Sequence, residues 1–117
     1  LYPVTPCRIA DTRAGGGIPL AAGEVRVFPV VGPGCGVPPE TQAVALNVTA
    51  TQPASAGFVA VHPSGAETPG TLTVAFSPGR TRAAPTIVQL GDGGAVSAHN
   101  ASGGPVHLIL DVSGVFR

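Results

Sequence analysis

The chain contains no tryptophan, no methionine and no lysine, and it has few charged or aromatic side chains. Charged residues make up 10% of the 117 residues, and the six basic side chains balance the six acidic ones. Without a basic patch, the sequence predicts no nucleic-acid partner. No apolar run approaches the roughly 20 residues of a membrane helix, so no membrane span is expected. The lack of methionine predicts a processed protein or a segment of a longer one.

Glycine and proline are abundant, with 17 and 13 residues, and they separate short apolar runs. No segment keeps the 3.6-residue period of a helix, and prolines interrupt every window in which a helix could start. Instead, about eight short runs lie between turn signals, as strands do in all-β folds. We therefore predict an all-β fold, an antiparallel β-sandwich of about eight strands with jelly-roll or Greek-key topology.

The clearest strand is PVHLILDVSGVF at 105–116, where the apolar residues from Val106 to Val112 fall on alternate positions. This period of two indicates a strand with one face in the core. The run AVALNVTAT at 43–51 alternates in the same way and is rich in β-branched residues. Because the last strand must pair with strands made earlier in the chain, we expect it to close the fold.

The first six residues, LYPVTP, are mostly apolar but are interrupted by two prolines. Prolines are confined to the edges of sheets, since they cannot donate a hydrogen bond to a neighbouring strand. This pattern predicts an extended N-terminal arm or linker over 1–6, followed by a single sandwich domain over 7–117.

Cys7 and Cys35 are the only cysteines, and each lies at a proline- or glycine-rich edge of a strand candidate. This placement is typical of disulfides in secreted domains, so we predict a Cys7–Cys35 bond, with two free buried thiols as the alternative. In the chain-entropy model such a bond is worth about 3–4 kcal/mol. Two cysteines with no nearby histidine do not make a structural zinc site.

Four segments together resemble a repeated β-domain of large secreted bacterial surface proteins. They are VTPCRIADTR at 4–13, AVALNVTAT at 43–51, GFVAVHPSG at 57–65 and LILDVSGVF at 108–116. In their order and spacing they cover nearly the whole chain. The resemblance implies a secreted or cell-surface, non-catalytic module that occurs in tandem or beside other extracellular modules. It supplies no catalytic residues.

A looser suggestion of the same resemblance is that such domains stack into extracellular fibrils. One terminal strand would then complete the sheet of the next subunit by using unpaired main-chain groups at a sheet edge. The apolar arm over 1–6 and the strand at the other end of the chain fit this arrangement, and an interdomain linker is the alternative. The question is whether the strand over 106–112 pairs within its own chain or with the arm of a second subunit.

The sequence predicts no catalytic, cofactor-binding or metal-binding residues. No Gly-x-Ser-x-Gly elbow is present, and spacing singles out no pair of carboxylates. His62, His99 and His107 would have to converge to bind zinc, but His62 and His107 lie opposite apolar neighbours and are expected to face solvent. A calcium ion at Asp92 or Asp111, with loop carbonyls, is an alternative, since extracellular sandwiches often use calcium. Turn chemistry explains Asp92 without a metal.

Arg8, Asp11 and Arg13 lie close together in the sequence. Both arginines can reach Asp11, or Asp11 can cap the backbone of the following loop with its carboxylate. We expect a structural role for this group rather than recognition of a ligand, and therefore a loss of stability when Asp11 is replaced.

Two N-glycosylation sequons are present, Asn47-Val48-Thr49 and Asn100-Ala101-Ser102. Asn47 is expected on the solvent face of its strand, and Asn100 is expected near a turn, so both are candidate glycan acceptors. A chance match to this short motif is the alternative.

Three functions remain on the sequence alone. The first is a non-catalytic extracellular module, whose partners are copies of itself or neighbouring domains of a longer chain. The second is a carbohydrate-binding or adhesion module attached to a secreted enzyme, with glycans as partners. It is less favoured because the chain has only one tyrosine and four phenylalanines to stack on sugar rings. The third, a small secreted hydrolase, would need a site that no motif marks.

Overall fold

The computed structural model describes residues 2–67 and 72–117, and nearly all of its regular structure is β-strand. The strands are β1 (Tyr2–Asp11), β2 (Val25–Pro29), β3 (Ala43–Thr51), β4 (Gly57–Pro63), β5 (Val74–Phe76), β6 (Arg82–Gln89), β7 (Ala95–Ser102) and β8 (His107–Phe116). Two single 3-10 turns, Ala14–Gly16 and Asp92–Gly94, are the helical elements of the described residues. The predicted all-β class with about eight strands is confirmed.

The eight strands form two four-stranded sheets in which every pair is antiparallel. The first sheet has the order β1-β8-β3-β6 and the second has the order β2-β7-β4-β5. Strands that follow each other in the chain therefore lie in opposite sheets, except for β4 and β5. A double sheet of eight strands with this connectivity is a jelly roll, one of the two predicted topologies.

The core lies between the sheets, and the alternation of apolar residues produces it. The inward side chains of β3 and β8 are almost completely buried, namely Val44, Leu46, Val48, Leu108, Leu110 and Val112. The second sheet contributes Val59, Val61, Val96 and Ala98. Asn47, between two of these inward positions, is exposed as predicted. The period of two thus places one face of β3 and one face of β8 in the core.

The four strands at the sheet edges each carry a feature that discourages pairing with another chain. The second sheet ends in β2, which contains Pro29, and in β5, which has only three residues. The first sheet ends in β6, which contains Pro85, and in β1, whose pairing with β8 has two register shifts. Pro29 lies on an edge strand, which is where prolines are tolerated in sheets.

The N-terminal residues continue directly into β1 instead of forming a separate arm. Tyr2 lies opposite Val115 and Pro3 lies opposite Gly114 in β8 of the same chain, and a register shift separates this pair from Cys7, which lies opposite Val112. The Arg117 guanidinium lies 4.8 Å from the centre of the Tyr2 ring, which adds a cation–π contact between the two ends. Leu1 lies outside the described residues. β8 therefore has a partner from its own chain on both sides, β1 and β3.

The Gly91–Gly94 segment does not form the hairpin that its Asp-Gly pair predicts. It connects β6 with β7, and these strands belong to different sheets. Gly93 and Gly94 both have positive φ, 72° and 67°, which suits a tight turn of either kind. The turn was predicted from local chemistry, whereas the partners of β6 and β7 are set by strands far away in the chain.

The alternation in TLTVAF at 71–76 predicts a strand with Leu72 in the core, but this side chain is 55% exposed, so the prediction is wrong. The strand predicted over 71–76 begins only at Val74, and Thr71 lies outside the described residues. The Thr73 hydroxyl accepts a hydrogen bond from the Val61 N–H at 2.9 Å. The pairing of β5 with β4 runs from Val74 to Phe76, so Leu72 lies before the start of the strand.

Candidate functional site

The pairing of β1 with β8, which we call the terminal ladder, joins two strands with very different environments. β1 has no buried residue along its ten positions. Its partly buried residues Cys7, Ile9 and Ala10 contact the rim of the core. β8 is buried at most of its positions, and it lies between β1 and β3. β1 is thus a cover on the edge of the sheet, and β8 belongs to the core.

The predicted disulfide is present and links β1 to the loop before β3. The Cα atoms of Cys7 and Cys35 are 5.8 Å apart, and the bond spans 28 residues of sequence. The loop is itself fixed, because Gly32 and Val37 exchange backbone hydrogen bonds and Val37 is buried. The two cysteines are partly exposed, beside a cleft of about 210 Å³ that Arg8 also lines. The bond therefore connects an edge strand to an anchored loop at a position that solvent reaches.

A group of four charged side chains holds β1 on its solvent side. Arg8 Nε lies 3.0 Å from Asp111 Oδ1, and Arg8 Nη1 lies 3.5 Å from Asp11 Oδ2. Arg13 donates to both Asp11 oxygens, from Nε at 3.0 Å and from Nη2 at 2.9 Å. Its backbone N–H also donates to Asp11 Oδ1 at 3.0 Å. The predicted contact of both arginines with Asp11 is confirmed.

These contacts change the ionisation of Asp11. The side-chain hydrogen bonds from Arg13 are the largest cause, followed by its backbone N–H, and together they lower the pKa of the Asp11 carboxyl to about 2. The same pairing raises the pKa of Arg13 above its ordinary value. Because the arginines are largely exposed, solvent screens these charges, and the group orients β1 more than it stabilises the fold.

Thr12 directly follows β1 and anchors the end of this strand to β8. The Thr12 N–H donates to the Leu108 carbonyl at 3.0 Å, and the Leu108 N–H donates to Thr12 Oγ1 at 2.9 Å. His107 Nδ1 lies 2.8 Å from the same hydroxyl. His107 is therefore half-buried and hydrogen-bonded, which corrects the expectation that it faces solvent.

The segment after Thr12, which we call the 13–19 connection, is the least constrained part of the chain next to β1. Its residues from Arg13 to Ile18 are exposed. Gly15 and Gly16 have positive φ, 61° and 73°, and a Cβ at either position would meet no atom within 4 Å. These glycines supply backbone conformations that other residues rarely adopt.

The far end of the 13–19 connection is clamped by Arg26 and by Leu20. Arg26 donates from Nη1 to the Ile18 carbonyl at 2.8 Å and from Nη2 to the Pro19 carbonyl at 3.2 Å. Its Nε donates to Glu24 Oε2 at 2.8 Å, and this bond is the main cause of the lowered pKa of Glu24. Leu20 is completely buried and exchanges two backbone hydrogen bonds with Val106. The 13–19 connection is therefore held from Ile18 onwards.

Asn100 holds the chain just after the 13–19 connection, at Leu20 and Ala21, from within the core. Its Nδ2 group donates to the carbonyls of Leu20 at 3.1 Å, Ala21 at 3.0 Å and Gly104 at 2.9 Å. Its Oδ1 accepts a bond from Ser102 Oγ at 2.6 Å. Asn100 is completely buried, so the expectation that it is accessible to a glycan is wrong for the folded chain.

The position of Asn100 was readable from the strand pattern. It has the same parity as the inward-facing Val96 and Ala98 of β7, so the period of two places it in the core. The Ser-Gly-Gly-Pro sequence that follows at 102–105 predicts a turn, and a turn favours an accessible position for Asn100. The anchoring role of Thr12 had no sequence signal, because its partners lie almost a hundred residues away.

The histidines do not form a metal site. His62 is only 4% exposed, which corrects its predicted solvent position, and its Nδ1 lies 3.1 Å from the Pro63 carbonyl. Its Nε2 has no hydrogen-bond partner among the described residues. Over 2–67 and 72–117, no three His, Cys, Asp or Glu side chains are arranged to hold a metal ion. Of the two calcium candidates, Asp111 is hydrogen-bonded to Arg8, and the Asp92 carboxylate lies against Gly65.

Comparison with family models, with curated proteins and with solved structures found no match to this chain. In the part of the chain that the structure describes, no helix has the length and apolar character needed to cross a membrane. The candidate site is therefore defined by its own geometry: an edge strand without buried residues, a disulfide, and an exposed glycine-containing connection.

Proposed function

We propose that this protein is a non-catalytic structural module of the extracellular surface, a repeat or subunit that assembles with copies of itself or with neighbouring domains. The observation that carries the proposal is the terminal ladder. Its inner strand β8 is part of the core, while its outer strand β1 has no buried residue and forms an edge of its sheet. A strand held in this way is suited to sheet formation between subunits.

The disulfide supports the extracellular setting, because such bonds persist mainly in oxidising compartments. Assembly by strand addition needs one further condition. In the single chain β1 already occupies the edge of β8, so a strand can be added there only after β1 has moved away. The remaining edges are short or contain proline, which leaves the terminal ladder as the best place for sheet sharing.

A carbohydrate-binding module is the alternative, and a groove of about 490 Å³ on the outer face of the first sheet is its best location. The groove is lined by Ala45, Leu46, Pro85, Thr86, Ile87 and Ser113. It contains no aromatic ring and no charged side chain. Sugar recognition usually relies on stacking against aromatic rings, so this lining favours the structural role.

Electron microscopy and light scattering of native material, together with a glycan array, test the proposal. We expect ordered oligomers or filaments and no saturable binding to any glycan. Discrete monomers at all concentrations, combined with saturable binding to one class of glycan, would overturn the structural role in favour of the alternative.

A further inference from the structure

We propose that the cleft beside the Cys7–Cys35 bond binds a small amino-acid thiol of the free-cysteine class, which attacks the Cys35 sulfur and stays there as a mixed disulfide. Cys35 is then a site of reversible S-thiolation, and its ligand is a thiol that carries a carboxylate. The site belongs to a single chain, so it goes beyond the proposed structural role and does not depend on assembly. Four features of the cleft support it: its position, its open side, its size and its charge.

The cleft lies on the Cys35 side of the bond. Cys35 is one of the residues that line it, whereas Cys7 is not. Cys7 lies opposite Val112 of β8, which is a fully buried residue. In thiol–disulfide exchange the thiolate bonds to the sulfur that it reaches, and the other sulfur leaves. The position of the cleft therefore makes Cys35 the attacked residue and Cys7 the leaving group.

A glycine keeps this side of the cleft open. Gly34 lines the cleft next to Cys35, and a Cβ built on it would meet no atom within 4 Å. Gly34 is not among the glycines with positive φ, so backbone strain does not require a glycine there. The missing side chain thus leaves free space beside Cys35, through which a small molecule can enter.

The size of the cleft, about 210 Å³, fits a small thiol. A water molecule occupies about 30 Å³ in the liquid, so this volume corresponds to about seven water-sized groups. Free cysteine has a similar number of non-hydrogen atoms, whereas glutathione is much larger. Four apolar residues contribute to the wall and suit the methylene group of cysteine, namely Ile9, Pro29, Val30 and Val31.

Arg8 is the charged residue of the lining. Its side chain is 53% exposed, and it is paired with Asp111 through Nε and with Asp11 through Nη1. A guanidinium has five N–H donors, so these two pairs leave donors for a further carboxylate. Arg8 can therefore orient the carboxylate of an amino-acid thiol. Because Arg8 is exposed, solvent screens its charge, and we expect a small contribution to the reaction rate.

The chemical step is a thiol–disulfide exchange that needs no oxidant. The thiolate of free cysteine attacks Cys35 Sγ, a new S–S bond forms between them, and the Cys7–Cys35 bond breaks. The Cys7 thiolate leaves with the electron pair of the broken bond and takes a proton from water. β1 remains paired with β8, so the modified chain stays folded but loses the covalent link between β1 and the loop before β3. Attack by the Cys7 thiolate on the mixed disulfide reverses the step.

Two single-cysteine variants test the position of the site. Cys7→Ser keeps Cys35, which lines the cleft, and Cys35→Ser keeps Cys7, which does not. Each is equilibrated with the same cysteine–cystine buffer, and intact-mass spectrometry measures the fraction of chains that carry a cysteinyl group. We expect the mixed disulfide at Cys35 to be favoured about tenfold, because only there does the cleft hold the ligand. Equal fractions in two variants that are folded by circular dichroism would overturn the site.

The wild-type protein tests the size of the ligand without relying on the stability of those variants. Free cysteine should open the native disulfide about tenfold faster than glutathione does at equal thiolate concentration, since only the smaller thiol fits the cleft. Alkylation of the released thiols followed by mass spectrometry gives both rates, and the same measurement in urea gives their ratio for the unfolded chain. A native ratio equal to the ratio in urea, or a native bond inert to both thiols, would overturn the proposal.

Gly34→Leu tests the open side of the cleft. The added side chain fills the space beside Cys35 and should slow opening by cysteine about tenfold in the native protein, with no change in urea. Gly103→Leu is the matched control, because Gly103 also lacks positive φ and a Cβ there would lie 3.9 Å from its nearest atom. If both variants reacted at the wild-type rate, the cleft would not be the route to Cys35 and the proposal would be wrong.

Arg8→Gln tests the charge of the ligand. Cysteamine resembles cysteine but lacks the carboxylate. At equal thiolate concentration the native bond should open about threefold faster with cysteine than with cysteamine, and Arg8→Gln should abolish this preference without changing the cysteamine rate. The same preference in the wild type and in Arg8→Gln would overturn the assignment of the ligand as a thiol held by its carboxylate.

Discussion

β1 and β8 are equally long and are paired along the same ladder, yet they contribute to the fold in opposite ways. β8 carries Leu108, Leu110 and Val112 on one face, and all three are fully buried. β1 contains Pro3 and Pro6 and has no residue that is completely removed from water. The difference shows that pairing and burial are separate contributions. A strand can be paired with its neighbour, contribute no buried residue, and be linked to the rest of the fold by a covalent bond, the Cys7–Cys35 disulfide.

Removal of that covalent bond has the largest expected effect. The double substitution Cys7→Ser and Cys35→Ser should lower the free energy of unfolding by about 3–4 kcal/mol, because the unfolded chain regains the entropy of a loop of this length. Urea denaturation followed by circular dichroism measures the change. A loss below about 1 kcal/mol would mean that β1 is fixed by the ladder and not by the disulfide.

The next effect compares matched truncations in the two strands. Leu110→Ala in β8 should cost about 3 kcal/mol, since it leaves a cavity in a fully buried position. Ile9→Ala in β1 removes a side chain that is only partly buried, and it should cost about 1 kcal/mol. Both values come from the same urea titration. Equal costs would contradict the contrast between a core strand and a covering strand.

A third substitution concerns the anchor at Leu20, where the 13–19 connection ends. Asn100→Ala leaves the carbonyls of Leu20 and Gly104 without their donor, which should cost about 2 kcal/mol. Asn47→Ala is the matched control, because Asn47 is exposed and should tolerate the change within about 0.5 kcal/mol. Thermal denaturation of the two variants in parallel would show the difference. If Asn47→Ala were the more harmful change, Asn100 could not be the anchor.

The smallest effect is expected from the charged group on β1. The pKa of Asp11 is about 2 in the folded chain and 3.8 in its ordinary state, so the folded form favours the carboxylate. Its stabilisation is present above pH 3.8 and is lost as the pH falls towards 2. The wild type should therefore lose stability more steeply in this range than Asp11→Asn. Urea denaturation at several pH values measures this loss. If the free energy of unfolding fell equally with pH in both proteins, the Asp11 carboxylate would make no net contribution to stability.

The parts of this fold that the sequence predicts are those that depend on local pattern. The alternation in β3 and β8 identifies both strands and their buried faces, and the disulfide follows from two cysteines at strand edges. The alternation of β4 predicts that His62 faces solvent, but the side chain is buried in the structure. Its burial depends on neighbours that the alternation within one strand does not describe.

The candidate site is only partly visible in the sequence, for a similar reason. The prolines of β1 predict an edge position, and Arg8, Asp11 and Arg13 form the group expected from their spacing. Its two prolines also predict a separate arm, but the pairing with β8 continues past them across a register shift whose extra residues lie in β1. The partner strand lies about a hundred residues away in the sequence, so the sequence of β1 alone does not reveal this pairing.

The pairing of Tyr2 with Val115 has a mechanical consequence. The start of β1 and the end of β8 lie side by side at the same end of the sandwich. A force that pulls the two chain termini apart therefore acts on one pair of residues of the ladder at a time. This is the geometry of unzipping, in which hydrogen bonds break in succession under low load. Unzipping would proceed from Tyr2 and stop at Cys7, where the disulfide carries the tension into the loop around Cys35. The disulfide thus sets how far the fold extends under load before its core is stretched.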